Sequence, residues 1–376
     1  MQLTQVHIVL VSAQTAPNLL PALDPAMKPK KVIMLVSKKM CSQADALENV
    51  FRQNGIKTER INLVNEHDFK DLERTILNLA ASHEIESIAL NVTGGTKLMA
   101  IAAQSIAQAA KWPVFYVDVD TDEVIWIIDK AQHNHKLTEH LRLRHYLLGY
   151  GFEIDGQVER PQPDSRHETL IRTLLLNIGS LEHPLSQLNW LTQIAEDKKI
   201  FSVEMNDKQR DSLGLSTLLR HFEDAGSLKV NGSTIRFTDE VERDFVKGGW
   251  LEHHVYRTVE SLTNELGIRD KAANLTIAKN GVRKEMDVVF MARNRPFVIE
   301  CKTARMDKPE APKANDTLFK LADVSRVGGL GANKMLTSYR NLREPEKKLA
   351  DALGISLVCG EELNRLEEKI KNWVRN

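Results

Sequence analysis

Along the first 135 residues, short apolar runs alternate with amphipathic stretches. The runs are VHIVLVS from Val6, KVIMLVS from Lys31, KTERINL from Lys57, ESIALNVT from Glu86 and WPVFYVDVD from Trp112. Between them, at 45–53, 68–81 and 97–110, apolar residues recur three and four apart, the spacing of one helix face. Strand-length runs separated by helical stretches predict repeated βαβ units and a parallel, Rossmann-like sheet. In such a sheet ligands bind beyond the carboxyl ends of the strands.

From 136 to 165 the pattern is irregular and passes through Arg160-Pro161-Gln162-Pro163-Asp164, which predicts a linker. From 166 to 245 helical stretches lead into LSTLLRHFEDAGSLKVNGSTIRFTDE, starting at Leu215. Leu215, Leu218, Leu219 and Phe222 share a helix face. Asn231-Gly232 is a two-residue hairpin signal between two β-prone triplets. Three helices and a hairpin are the order of a winged helix. From 246 to 376 the prediction is a helix over 250–266, three strands (LTIAK from Leu275, MDVVFM from Met286, PFVIECK from Pro296), a helix near 316–327 and a strand near Met335. A helix near 346–353, the strand ISLVC from Ile355 and a closing amphipathic helix complete it. The chain is thus predicted as α/β throughout: a sensor-like domain over 1–135, a linker over 136–165, a winged-helix-like region over 166–245 and a second α/β domain over 246–376.

Charge changes this picture by region. The 51 basic and 51 acidic side chains cancel over the whole chain, which argues against a general nucleic-acid coat. The cancellation hides a split: residues 1–140 carry a net −2, 141–245 a net −4 and 246–376 a net +6. The last segment therefore suits one local polyanion site, and the acidic middle reads as a spacer. No apolar run approaches the roughly 18 residues of a membrane span. The N-terminal run lacks the basic flank of a signal peptide. Cys41, Cys301 and Cys359 are too scattered for a metal knuckle and read as reduced thiols, so a cytoplasmic protein is expected.

The strongest chemistry lies in KEMDVVFMARNRPFVIECKTAR. If the strands from Met286 and Pro296 pair across a loop of four, Ala292 to Arg295, Met291 faces Pro296 and Asp287 faces Glu300. Opposed side chains on one face have β-carbons roughly 5 Å apart, close enough for two carboxylates to share one cation. Glu300 and Lys302, two apart on a strand, emerge on the same face. Two adjacent carboxylates suit Mg²⁺ or Mn²⁺, which lowers the pKa of bound water and stabilises charge on a phosphoryl oxygen. Lys302 would orient or deprotonate the attacking water or offset charge in the transition state. Glu252, on the helix before this sheet, could add a third carboxylate. Apolar neighbours at Val288, Val289, Phe297, Val298 and Ile299 make the charged trio semi-buried, which a plain surface hairpin does not explain.

These residues resemble the PD-(D/E)XK motif of restriction-endonuclease-like nucleases. Asp287 and Glu300-Cys301-Lys302 match it, Glu252 matches the helix glutamate of several members, and Met286 stands where the motif has proline. The resemblance covers roughly 247–376. It implies catalysis by Glu252, Asp287, Glu300 and Lys302, with metal held by Glu252, Asp287 and Glu300.

A second motif, Asn91-Val92-Thr93-Gly94-Gly95-Thr96-Lys97, follows a strand and opens a helix. Paired glycines let a ligand approach the backbone, a helix N-terminus presents free N–H groups, and Thr93, Thr96 and Lys97 add donors. Walker A and Rossmann glycine spacings are both absent. Ser12, Gln14 and Thr15 follow the first strand, and Ser37 and Lys38 the second, so polar residues gather at one sheet edge. Together these residues resemble a CARF domain, the cyclic-oligoadenylate sensor of type III CRISPR defence. That resemblance covers about 1–135 and implies a homodimer with cyclic tetra-adenylate lying across its two-fold axis.

The three parts together resemble the CARF-fused CRISPR ancillary nucleases. The family implies a metal-dependent endonuclease acting on single-stranded DNA or RNA, or nicking duplex DNA, once the activator binds. Two other readings stay open: a ligand-responsive winged-helix transcription factor with an inactive nuclease-like domain, and an unregulated nuclease. Weaker signals are His253 and His254, which adjacent helix positions aim about 100° apart and so keep from facing one metal. Trp250 and Tyr339 could stack a splayed base, but such residues are more often core, and Lys320 and Arg326, beside the glycines of 328–331, are candidate phosphate contacts.

Overall fold

The computed structural model describes residues 5–83, 87–128, 133–138, 141–304, 313–327 and 332–376. The first sheet is built from β1 (Val6–Leu10), β2 (Lys31–Val36), β3 (Lys57–Asn62), β4 (Ile88–Asn91), β5 (Val114–Asp118), β6 (Glu123–Ile128) and β7 (His135–Lys136), in the order β3-β2-β1-β4-β5-β6-β7. Helices α1 (Ala16–Leu23), α2 (Cys41–Gln53), α3 (Phe69–Ser82) and α4 (Lys97–Ala109) provide the crossovers. The first five strands pair in parallel, as the alternating pattern predicts. The edge strands β6 and β7 are antiparallel. The reason is local: a four-residue turn with Asp122 at φ +53° joins β5 to β6, and so short a connection allows only an antiparallel pair.

The irregular stretch 136–165 is not a free linker. It forms α5 (Leu143–Gly149) and β8 (Glu153–Ile154). Leu143, Tyr146 and Leu147 are buried, and Ile154 pairs with Ile277 in the far sheet. Seven helical residues are too few for a visible period, and a two-residue strand has none.

The middle region contains α6 (Ser165–Leu176), α7 (Ile178–Asp197), β9 (Ser202–Glu204), α8 (Asp207–Arg210), α9 (Leu213–Asp224), β10 (Leu228–Asn231) and β11 (Thr234–Phe237). The hairpin forms one residue later than the Asn231-Gly232 signal: Asn231 still pairs with Thr234, and Gly232 and Ser233 make the two-residue loop, with Gly232 at φ +64°. The strand β9 completes a three-stranded sheet.

The last region holds α10 (Glu240–Asp244), a π-turn over Phe245–Gly249, α11 (Trp250–Ser261), β12 (Asp270–Lys279), β13 (Val282–Ala292), β14 (Arg295–Lys302) and α12 (Lys313–Val327). It ends with β15 (Asn333–Ser338), α13 (Glu344–Ala352), β16 (Ile355–Cys359) and α14 (Leu366–Arg375). Its sheet runs β16-β15-β14-β13-β12-β8. One apolar cluster joins a face of this sheet, through Met291, Val298 and Leu336, to α5 and to Leu19 and Phe115 of the first domain. A second cluster covers the other face with α6, α7, α11 and α14. In α14, Leu366, Ile370 and Val374 are buried, and the Trp373 ring stands edge-on to Phe297 at 4.9 Å. Among the described residues no helix is long and apolar enough to cross a membrane. All three cysteines are free.

Candidate active site and sensor site

The β13–β14 hairpin closes more tightly than the four-residue loop expected from sequence. Arg293 and Asn294 alone form the turn, at φ +51° and +53°, and Ala292 pairs with Arg295. Two consecutive left-handed residues make the kind of turn whose twist matches a hairpin. The register is unaffected: Met291 faces Pro296 and Val288 faces Ile299. Beyond that pair Asp287 turns across the strand end, and its Oδ2 accepts the Cys301 N–H at 2.7 Å. Lys302 Nζ stands 2.6 Å from Glu300 Oε1 and 3.4 Å from Asp287 Oδ2.

Glu252 joins this group from the first turn of α11. Burial, then the charge of Asp287, pushes its carboxyl up to about 8, against the opposing pull of Lys302. Burial and Asp287 likewise raise Glu300. Burial works against the charge on Lys302, but Asp287 and Glu300 outweigh it and raise the amine above the ordinary lysine value. As the site stands Lys302 is an ammonium, suited to orienting water or offsetting phosphoryl charge and not to taking a proton.

The expectation that Glu252, Asp287 and Glu300 together hold a metal meets a geometric limit. Among the described residues, no three His, Cys, Asp or Glu side chains gather closely enough to enclose an ion. The donor set still fits a hard divalent cation. It is all carboxylate oxygen, its negative charge exceeds what Lys302 offsets, and Mg²⁺ commonly takes one or two carboxylates with water and substrate phosphate completing its shell.

Sequence reasoning missed Glu285. It lies two residues before Asp287 on β13, hence on the same face, and its charge acts on both Glu252 and Glu300. The alternation Glu285-Met286-Asp287 was the available signal. Also missed was the support behind Lys302. Buried Thr303 donates its hydroxyl to the Lys247 carbonyl at 3.3 Å, and the Asn189 amide of α7 lies 3.2 Å from the same hydroxyl. A Cβ on Gly248 would stand 2.7 Å from Thr303 Oγ1, so glycine is needed where α11 is launched.

His253 and His254 line a cavity of about 440 Å³ between α6, α11 and α14, to which Glu252 does not contribute. Trp250 and Tyr339 are both fully buried, their rings 5.4 Å apart edge to face, and the Tyr339 hydroxyl donates to the Leu174 carbonyl. They are core residues and cannot stack a base. Lys320 is exposed on α12; the Arg326 side chain and residues 328–331 lie outside the described residues.

At the first sheet, the carboxyl ends of β1, β2, β4 and β5 share one edge, where the sequence placed the ligand residues. The structure divides them into two sets. Asn91 is wholly buried: its amide donates to Pro17 O and Asn18 Oδ1, and its oxygen accepts from the N–H and hydroxyl of Thr93. Thr93 Oγ1 in turn accepts the Val117 N–H at 2.7 Å. Thr15 and Ser37 are buried as well. Asn91 and Thr93, expected as ligand contacts, build the frame through these bonds, whereas the Thr15 hydroxyl is buried without a hydrogen-bond partner among the described residues. Gly94 and Gly95 also answer to packing: a Cβ on Gly94 would stand 2.1 Å from the Leu10 carbonyl oxygen, and Gly95 sits at φ +73°. Ser12 donates to the Gln14 carbonyl. Thr96 caps α4 by accepting the Met99 N–H. Gln14, Lys38, Thr96 and Lys97 keep their side chains exposed on this edge.

Two family models match this architecture: a Card1 CARF domain over residues 6–146, and a Card1-like endonuclease domain over 239–376. The chain is a CARF–nuclease fusion. Among solved structures it is similar to Can2 from Sulfobacillus thermosulfidooxidans in complex with cyclic tetra-adenylate. The identity is 25%, 98% of this chain and 99% of that one are covered, and the TM-score is 0.82. The protein VC1899 from Vibrio cholerae shares the fold over 98% of both chains, with a TM-score of 0.90 at 24% identity. A type III CRISPR defence DNA nuclease activated by cyclic oligoadenylate shares it at 18% identity and a TM-score of 0.57, over 91% of this chain and 46% of that one. No curated protein sequence matches the chain.

The CARF domain grips the nuclease at the β13–β14 turn. Arg295 pairs with Asp120 at 2.9 Å and donates to the carbonyls of Val119 and Asp120, all in the β5–β6 turn. Asn294 Oδ1 accepts the Leu141 N–H. A cavity of about 480 Å³ lies here, with Gln14 of the sensor edge and Arg295 both in its wall. Arg295 begins the strand that ends at Glu300 and Lys302.

Proposed function

We propose that this protein is a divalent-metal-dependent endonuclease that hydrolyses phosphodiester bonds of single-stranded DNA or RNA, or nicks duplex DNA, when cyclic tetra-adenylate occupies the CARF domain. The observation that carries the reading is the Glu252, Asp287, Glu300 and Lys302 group, three carboxyl groups and one ammonium, in which Asp287 and burial raise Glu252 and Glu300, and Asp287 and Glu300 raise Lys302. Asp287 and Glu300 would hold the metal, with Glu252 acting on it through a water. The bound ion would acidify a water and polarise the scissile phosphoryl group. Lys302, held by both carboxylates, orients that water and offsets charge on the phosphoryl oxygens. Asp287 is itself oriented by the Cys301 N–H, so the donor geometry exists before substrate arrives.

The activator reading rests on the likeness to Can2 and on the exposed donors of the sensor edge: Gln14, Lys38, Thr96, Lys97 and the free N–H groups at the start of α4. A four-fold nucleotide ring suits two identical half-sites, hence a homodimer, in an intracellular defence role. Closure of that dimer shifts the β5–β6 turn and, through Arg295, strand β14. The middle region serves as a spacer and not a duplex reader: its net charge is −4, and Glu223 and Asp224 end α9.

The test is cleavage of labelled single-stranded DNA and RNA with Mn²⁺, with and without cyclic tetra-adenylate, comparing wild type with Glu300→Ala. Cleavage that survives the substitution removes the site from the reaction. Cleavage indifferent to the cyclic nucleotide removes the gating.

A further inference from the structure

Asp287, Glu300 and Lys302 all belong to the β13–β14 hairpin, so strand register fixes them relative to one another. Glu252 comes from another element, the first turn of α11. Where it stands depends on how α11 is seated at the end of β14. The chain reaches α11 through the π-turn over Phe245–Gly249, and Gly248, at φ 163° and ψ −15°, kinks the helical run there. Hydrogen bonds from two other segments hold the kink. The buried Thr303 hydroxyl meets the Lys247 carbonyl at 3.3 Å. Asn189 of α7 bridges the pair. In the orientation that satisfies both ends of its amide, the nitrogen donates to the Lys247 carbonyl at 3.0 Å and the oxygen stands 3.2 Å from the Thr303 hydroxyl. The Lys247 ammonium pairs with Glu196, also of α7. This clamp lies on the sheet face that α7 and α11 cover. Ile299 and Cys301 point to that face and Val298 to the other, so alternation puts Thr303 with the clamp and Glu300 and Lys302 on the opposite side. The route from the clamp to the carboxylate group is therefore the start of α11, which carries Glu252.

We propose that Thr303 and Asn189 are positioning residues for cleavage: by seating the start of α11 against the end of β14, they set how far Glu252 stands from Asp287 and Glu300. The inference rests on the nuclease reading above and deepens it by naming what places the third carboxyl group. A working constellation has to be held to within about 0.5 Å. Two side chains bonded to one carbonyl at the base of the helix restrict it in a way that apolar packing alone does not. The middle region, a spacer by its charge, thereby gains a second task, since α7 supplies both Asn189 and Glu196 to the clamp.

The experiment uses the full-length chain and reads Mn²⁺ binding without substrate, by electron paramagnetic resonance of the free ion, beside the cleavage assay. Thr303→Val weakens Mn²⁺ binding about 10-fold and lowers kcat by a similar factor, the scale of a group that orients a metal's surroundings. KM for the nucleic acid stays within about two-fold. Thr303→Ser keeps the hydroxyl and restores both quantities, and Asn189→Ala repeats the loss. In a Glu252→Gln background Thr303→Val changes Mn²⁺ affinity by less than about two-fold, because the two substitutions remove one and the same contribution. Thr192→Val serves as the control for a lost buried hydroxyl: Thr192 bonds to the Leu188 carbonyl within α7, and its removal leaves Mn²⁺ affinity as in wild type. The same loss in both backgrounds, Thr303→Ser as impaired as Thr303→Val, or Thr192→Val as impaired as either each overturns the proposal. Wild type that binds no Mn²⁺, or cleavage that persists in Glu300→Ala, defeats the nuclease reading instead, and the two failures are told apart by those controls.

Discussion

The two sheets of this protein treat their polar residues in opposite ways. At the CARF edge, side chains chosen for ligand chemistry are consumed by the fold: Asn91 uses its whole amide on Pro17, Asn18 and Thr93, and Thr93 passes the link to Val117. At the nuclease edge the charged groups are left in conflict, with Glu252 pushed up to about 8 and Glu300 raised by burial and Asp287. A sensor must hold its loop in shape before a neutral-framed pocket can read a ligand. The nuclease edge instead keeps excess negative charge that a cation would neutralise, at a cost in stability. The substitutions below break or sharpen this contrast.

The largest effect is expected at Glu300. Glu300→Gln should cut the cleavage rate by about 10²–10³-fold or more, while the unfolding midpoint in denaturant without metal stays level or rises, since one member of a repelling group has been neutralised. A clear loss of stability would mean that the carboxylates are satisfied.

The CARF sheet buries His7 with burial pulling its pKa down to about 3. Native His7 is therefore neutral, and the unfolded chain takes up a proton below about 6.5 that the native state refuses. Its contribution to stability is complete above about pH 6.5 and declines as pH falls toward 3, at about 1.4 kcal/mol per unit. Between pH 6.5 and 4.5, above the range of the depressed carboxyl of Glu48, stability should fall by about 2.3 kcal/mol more in wild type than in His7→Leu. Thermal melts across that window check it, and parallel curves for the two proteins would disprove it.

Asn91→Ala should destabilise the CARF domain by about 2 kcal/mol, since it leaves the Thr93 N–H and hydroxyl, which hold the Val117 N–H of β5, without their acceptor. Chemical denaturation is the measure. A loss of cyclic tetra-adenylate response without any loss of stability would return Asn91 to the ligand site.

The smallest effect lies between the sheets. Arg295→Ala should reduce stimulation by cyclic tetra-adenylate about 5-fold, a coupling of about 1 kcal/mol, while affinity for the nucleotide changes little. Titration calorimetry beside the cleavage assay separates the two quantities, and full stimulation in the variant would place the coupling elsewhere.

The β13–β14 hairpin was legible because period-two alternation and a counted register depend only on neighbours in the chain. Met291 faces Pro296 in the structure as it does on paper. The stretch 136–165 was not legible, because α5 and β8 owe their form to Phe51 and Ile277, which are remote in sequence. Trp250 and Tyr339 are core, the commoner of the two readings open to them. Nothing local distinguishes Trp250, at 0% exposure, from Trp190 at 56%.

Sequence by itself determined the element order, the strand-to-helix turn at Gly94-Gly95, the pairing that brings Asp287 beside Glu300, and the basic surplus of the last domain. Those follow from backbone periodicity and residue chemistry, both short-range. Tertiary structure decided which polar groups are spent on the frame, how far the charges of Glu252, Glu285, Asp287 and Glu300 act on one another, and that Trp250 is sealed in the core while Trp190 stands in solvent. Burial and Coulomb energy depend on distances between segments, and only the packed chain sets those distances.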